Sequence, residues 1–318
     1  MRLSHDEHLT TCPFSSSFSS FFFSSFFSSF SSSVTDVGQS QHFEMVFKAA
    51  RASNLLSEST ELRHVPFGLV QGEDGKKFKT RSGDTVRLKD LLDQAVSTAE
   101  EDMLARMNAG KGDAEQVPTG EGVVLEEKEK VVLTELSAEN KAVARIVGIG
   151  AVKYADLSMN RESNYRFSFK KMLSLSGNTA PYMLYAFARI QGIRRKALLA
   201  VAGGEGEESE SASASAQVLS DIAAGSVDLS TKEERSLAKQ LMRLDEVLEE
   251  VAKDLYPNKL CEYIFDLSQR FNQFYERCPV LSAETPELRK SRAALCSLTA
   301  DTLKISLDLL GIRTVEKL

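Results

Sequence analysis

Cysteine and histidine are scarce in this chain, with four of each in 318 residues. Cys12, Cys261, Cys278 and Cys296 form no C-x-x-C pair and, with so few histidines, no zinc pattern, which excludes a metal-stapled domain. The simplest setting for such thiols is a reducing intracellular compartment. No apolar run reaches the roughly eighteen residues that a membrane span needs, so no membrane partner is expected. Excess positive charge is missing as well. A formal net charge of −6 rules out a protein that holds nucleic acid by bulk attraction, so DNA is not an expected partner and any RNA binding must use local patches. What is present, 42% hydrophobic and 26% charged residues, describes an ordinary globular chain long enough for two cores.

Residues 1–34 carry a deficit of their own. Pro13 to Ser33 is a Ser/Phe tract without a single Arg or Lys, and two letters with neither helical spacing nor turn residues cannot specify a packed core. The segment reads as low-complexity and disordered, or as a misassigned start of the reading frame. It is Ser-rich and acid-poor like an organellar transit peptide but lacks the arginines. The expected address is therefore cytoplasmic, with mitochondrion or plastid as the alternative.

The most informative stretch is 64–93, HVPFGLVQGEDGKKFKTRSGDTVRLKDLLD. Val65, Phe67 and Leu69 alternate with small or polar residues, the period of a strand with one buried face, and Gly68 inside it marks a bulge or close approach. Asp74-Gly75 supplies a tight reversal. Then Lys76, Lys77, Lys79, Arg81, Arg87 and Lys89 face one acid, Asp84, with hydroxyls at Thr80 and Ser82 and glycines at 75 and 83. Such a loop suits a polyphosphate, since Lys brings a mobile charge and Arg a planar fork. A solvated hairpin would read the same way by charge alone.

Upstream, Asp36-x-x-Gln39-x-x-His42 precedes MVFKAARA, whose apolar residues have helical spacing. The motif sits at a strand-to-helix junction, where open α/β sheets bind ligands, although His42 could equally be a capping residue. A helix is expected from Val86 to about Met107 on Leu88, Leu91, Leu92, Ala95 and Leu104, and 110–130 reads as a surface loop. Ser137 opens a further helix whose buried face is Val143, Ile146, Val147, Ile149 and Val152, running through Arg161.

From Arg161 to Lys196 eight cations meet one acid, Glu162, with Tyr165, Phe167, Phe169, Tyr182, Tyr185 and Phe187 interleaved. This composition fits a face that meets RNA backbone, or an aromatic core with solvated cations. Residues 203–216 form a flexible acidic loop. Three apolar stripes follow, Leu237–Val251, Leu260–Phe274 and Leu295–Leu310, each the buried side of one bundle helix. On the second, Arg270, Asn272, Gln273 and Tyr275 form a polar edge able to stack on and hydrogen-bond an unpaired base.

As strings, the 64–93 block, AVKYADLSMNRESNYRFSFKKMLSLSGNTAPYMLYAFARIQGI, LCEYIFDLSQRFNQFYERCPV and ALCSLTADTLKISLDLLGIRTVEKL resemble arginyl-tRNA synthetases of class I over about residues 35–318. The resemblance implies an α/β remnant of a Rossmann-type catalytic domain (35–178) followed by an all-α anticodon-binding helix bundle (179–318), mainly α overall. It implies that Lys76, Lys77, Lys79, Thr80, Arg81 and Ser82 form the KMSKS-like loop. Gln39 and His42, and more weakly Asp36, would then lie beside the adenosine of ATP. Asn272 and Tyr275, with the C-terminal Lys317 and Leu318 behind them, would meet the anticodon loop of tRNA(Arg). Its substrates would be L-arginine and ATP with Mg2+, with no tightly bound metal or organic cofactor. The family's HIGH signature is absent from the sequence. The chain thus reads as a C-terminal portion, probed either for arginine–tRNA ligation with an incomplete site or for tRNA binding by a helical module without catalysis.

Overall fold

The computed structural model describes residues 30–57, 59–72, 75, 87–110, 134–202 and 227–316. They fall into two compact units, one of the described residues up to Leu69 and one of those from Val70 on. In the first, strand β1 (Phe30–Asp36) pairs in parallel with β2 (Glu61–Phe67), in register from Phe30 opposite Glu61 to Asp36 opposite Phe67. A 3-10 turn (Val37–Gln39) and helix α1 (Ser40–Ala52) connect them. Phe43 of α1 stacks on His64 at 5.0 Å between centroids, and the Thr35 hydroxyl meets His64 Nε2 at 2.8 Å.

Two expectations fail here. The boundary at Thr35 falls inside β1, because Phe30–Val34 belong to the strand; its partner lies some thirty residues on, which no local pattern reveals. The alternation across 65–69 also breaks: Val65 is buried but Phe67 and Leu69 are exposed, since β2 ends at Phe67 opposite the last residue of β1. Gly68 accordingly lies beyond the strand rather than within it.

The second unit is mainly helical. Strand β3 (Val70–Gln71) pairs with β4 (Tyr165–Arg166). The helices are α2 (Leu88–Gly110), α3 (Ala138–Leu157), the single turn α4 (Phe169–Met172), α5 (Ala180–Ala202), α6 (Lys232–Met242), α7 (Leu244–Asp254), α8 (Asn258–Arg277) and α9 (Pro286–Leu309). Ser137 caps α3 by accepting from the Asn140 amide at 3.2 Å, as its position suggests. The helix stops at Leu157 instead of running to Arg161. At the head of α2, Leu88 is exposed, and burial falls to Leu91, Ala95 and Ala99.

Helix α3 belongs to both apolar clusters. Ala144, Ala151 and Val152 pack with α2, Phe167 and Met172, while Tyr154 joins the bundle core with Val143 and Ile146 against it. Where α3 crosses α2, a Cβ on Gly148 would lie 2.7 Å from the Ala95 carbonyl oxygen and 2.8 Å from Val96 Cα. Gly148→Ala gains about 1 kcal/mol of helix propensity. It also presses on backbone that cannot step aside, and overpacking costs about 1–3 kcal/mol. The strain should win, lowering the melting temperature followed by circular dichroism; a rise would refute this account of the crossing.

The stripe Leu237–Val251 is divided between α6 and α7 at Arg243. Helix α6 opens with a complete capping box, Thr231 accepting from the Glu234 amide at 3.2 Å and the Glu234 carboxylate accepting from the Thr231 amide at 2.8 Å. The other carboxylate oxygen accepts from Arg292 Nε of α9 at 2.8 Å, with both side chains buried. Arg292 also donates to the Pro279 carbonyl. Burial pushes the Glu234 acid up, but the Thr231 amide, Arg292 and the Thr231 hydroxyl outweigh it and hold the carboxyl below the usual range.

Candidate RNA-facing site

Helix α8 turns about 100° per residue, so Asn272 and Tyr275 share one side while Arg270 and Gln273 share another. The four therefore do not form one edge. Arg270 points at α6, donating to Ser236 Oγ at 2.5 Å, and Gln273 is exposed. Asn272 and Tyr275 instead face α5. Asn272 Nδ2 donates to the Tyr182 hydroxyl at 3.1 Å, and the Arg189 guanidinium stands 5.3 Å from the Tyr275 ring centroid. Tyr275 lies nearly parallel to buried Phe271, and Tyr182 packs edge-on against Phe265 at 5.7 Å.

Tyr182, Tyr185 and Arg189 recur at i, i+3 and i+7 along α5, so they line the same side. Tyr185 is 49% exposed and Arg189 is exposed. Two partly wet aromatics, an amide and a guanidinium against a ring make a surface on which an unpaired base can stack while its backbone meets a cation. Sequence reasoning had Tyr182, Tyr185 and Arg189 only as members of a mixed run; their helical spacing was the signal that could have singled them out.

That run does not act as one cationic face. Arg194 pairs with Asp301 at 3.0 Å. Arg161 donates to the Leu255 carbonyl and stacks over Tyr256 at 4.5 Å, structural work for both. The three described cysteines, Cys261, Cys278 and Cys296, are buried free thiols, and burial pushes Cys261 and Cys296 up to about 12. All three pack in the core, and the raised thiols of Cys261 and Cys296 leave little thiolate at neutral pH.

In the other unit Gln39 is the residue before α1 and makes no side-chain cap bond, and His42 lies one turn on; both are exposed. Asp36 caps the 3-10 turn, its carboxylate accepting from the Gly38 amide at 2.7 Å. Lys76, Lys77, Lys79, Thr80, Arg81 and Ser82 lie outside the described residues, as do Lys317 and Leu318. Their loop's root is described: Gly75 takes φ +75°, closing a turn onto the Gly72 carbonyl, as the Asp-Gly pair implies.

Residues 31–169 match the family model for the catalytic domain of class I tRNA synthetases (R), and residues 183–318 that for the DALR anticodon binding domain. The arginine–tRNA ligase of a Synechococcus strain (ATCC 27144) is 52% identical over 285 residues, which cover 90% of this chain. The chain belongs to the arginyl-tRNA synthetase family. The ligase of Nostoc punctiforme is 50% identical over the same share. Among solved structures, arginyl-tRNA synthetases of Plasmodium falciparum (TM-score 0.66, 28% identity) and Thermus thermophilus (0.64, 25%) superpose on 91% and 90% of the chain, and 41% of each of them is covered. The chain spans 42% of the length of the curated relatives just named, corresponding to the C-terminal part of the synthetase. Within this arginyl-tRNA synthetase segment, Tyr185, Arg189, Asn272 and Tyr275 of the α5/α8 surface fall in the anticodon-binding match, with Tyr182 one residue before it, and Gln39, His42 and the basic loop fall in the catalytic match.

Proposed function

We propose that the chain serves arginine–tRNA ligation, holding tRNA(Arg) on the α5/α8 surface and presenting a phosphate-binding loop to ATP. The arrangement of Arg189 over Tyr275, beside the Asn272–Tyr182 hydrogen bond, supports this reading. In the reaction, the arginine carboxylate attacks the α-phosphorus of ATP and expels pyrophosphate. A terminal ribose hydroxyl of the tRNA then takes the arginyl group from the adenylate and releases AMP. Lys76, Lys77 and Lys79, shaped by Thr80, Arg81 and Ser82, would neutralise the leaving pyrophosphate. Gln39 and His42 would meet the adenosine. Magnesium would accompany ATP as its counter-ion; among the described residues no three His, Cys, Asp or Glu side chains gather to hold a metal.

A second reading, tRNA binding without chemistry, is favoured by the 42% coverage of the relatives. Filter binding with an arginine-accepting tRNA transcript and pyrophosphate exchange with arginine, ATP and that tRNA separate the two. Retention with exchange that disappears in Lys79→Ala supports ligation, and retention without exchange supports the module. Loss of both defeats each reading.

A further inference from the structure

A cleft of about 370 Å3 opens in the second unit between the last turn of α3, strand β4 and the segment entering α5. It shares no residue with the α5/α8 surface described above. Much of its lining is apolar: buried Ala151 and Met172, half-buried Ala155 and exposed Met159 contribute methyl groups and thioethers. Arg166 and Lys171 stand exposed at its rim, and none of the residues lining it is acidic.

The rim is partly pre-set. Arg166 lies on the short β3–β4 ladder, and its guanidinium packs against Gly75, 3.4 Å from where a Cβ would stand. Asn178 has its side-chain oxygen taken by the Tyr154 hydroxyl at 2.6 Å, so it offers the cleft amide hydrogens, which only donate. The nearby carboxylate of Asp156 is engaged by the Tyr165 hydroxyl. A largely apolar lining with cations and an amide donor around it suits a flat, weakly polar ring carrying a negative charge to one side. At this size one ring and its substituent fit, and a duplex does not.

We propose that this cleft binds one unpaired nucleotide of RNA, the base lying against Ala155 and Met159 and the adjoining phosphate between Lys171 and Arg166. The proposal rests on the tRNA-binding reading above and adds a second point of contact to it. Unpaired bases splay from loops and junctions of folded RNA, where a protein can take them singly. Lys supplies a point charge and Arg a fork for the same phosphate oxygens. The same chemistry could come from a free mononucleotide, so the test separates the two sources.

The experiment uses the full chain, an arginine-accepting tRNA transcript and AMP. Affinity for the transcript is measured across a salt series for the wild type, for Arg166→Ala combined with Lys171→Ala, and for Ala155→Leu, which adds bulk to the apolar lining without touching charge. The expected result is about a tenfold loss for the double variant, with the slope of log K against log salt smaller by about 1.4, two contacts' worth for a single strand. Ala155→Leu should weaken binding with its slope unchanged, and circular dichroism should report a native fold in both. Wild-type affinity in both variants would overturn the cleft assignment and leave the tRNA reading standing. Failure of the wild type itself to bind would remove that reading and this one with it. Binding of AMP that both variants abolish, with tRNA affinity untouched, would overturn the assignment to RNA in favour of a free nucleotide.

Discussion

Replacing Arg292 with Met is expected to lower the unfolding free energy by about 3–5 kcal/mol, the cost of leaving one partner of a buried ion pair alone. Glu234 is fully buried, and its carboxylate would lose its one cationic partner and keep neutral ones, among them the Thr231 amide and the Ser230 hydroxyl at 2.8 and 3.2 Å. The pH dependence carries the sign. In the wild type the Glu234 acid is held low, so its contribution is complete above the ordinary Glu value of about 4.3 and is lost as pH falls through the folded value. Without Arg292 the carboxyl becomes a stranded charge whose acid is raised, and protonation relieves it. Urea unfolding should therefore show a large difference between the two proteins at neutral pH that shrinks towards about pH 4. A difference that is the same at both pH values would mean that the pair is not what Arg292 contributes. Adding Glu234→Gln to Arg292→Met should recover part of the loss, since a neutral amide costs less to bury.

Tyr275→Ala should weaken retention of tRNA by about 1–3 kcal/mol, roughly five- to 150-fold, the worth of one base stacked on an aromatic ring. Tyr275→Phe keeps the ring over Phe271 and beneath Arg189 and should stay near wild type. Arg189→Ala should cost less at high salt than at low salt, because a cation's share is screened. Filter binding measures all three, with melting curves to show that the half-buried ring has not been removed at the expense of the fold. Tyr275→Ala protein that melts normally and binds tRNA as well as the wild type would remove the α5/α8 surface from the account.

Signals that live within one turn of chain were readable in the sequence. Ser137 is followed three residues on by Asn140, and the chain's own backbone completes the cap. Asp74-Gly75 calls for a left-handed residue, and Gly75 has one. Long-range pairing was not readable: Ser31, Ser32 and Ser33 carry no strand signal, and they are held by residues 62 to 64. The stripe on α9 held only in part, for a different reason. Leu295, Leu303 and Leu310 are buried, but Leu298, Ile305 and Leu309 are exposed, whereas Ala293, Cys296, Thr299 and Ala300 are buried. Helices that approach closely select small side chains, so hydrophobicity alone misses part of the buried face. For the candidate site, Asn272 and Tyr275 share a face by spacing. Their partners Tyr182 and Arg189 are some ninety residues away in sequence, and Arg270, adjacent in sequence, is drawn off by Ser236.

Because α3 lines two apolar clusters at once, the line between the two family matches is not a line between two independently folding bodies. Tyr154 belongs to the same core as Met183 and Leu184 and donates to the Cys261 carbonyl, and the tail after α9 returns to the same helix, where the Gly311 carbonyl accepts from Lys153 at 2.7 Å and Ile312 lies over Gly150. Cutting the chain between residues 169 and 183 would lay both sides of that seam open to water. The anticodon-side bundle thus borrows a wall from its neighbour.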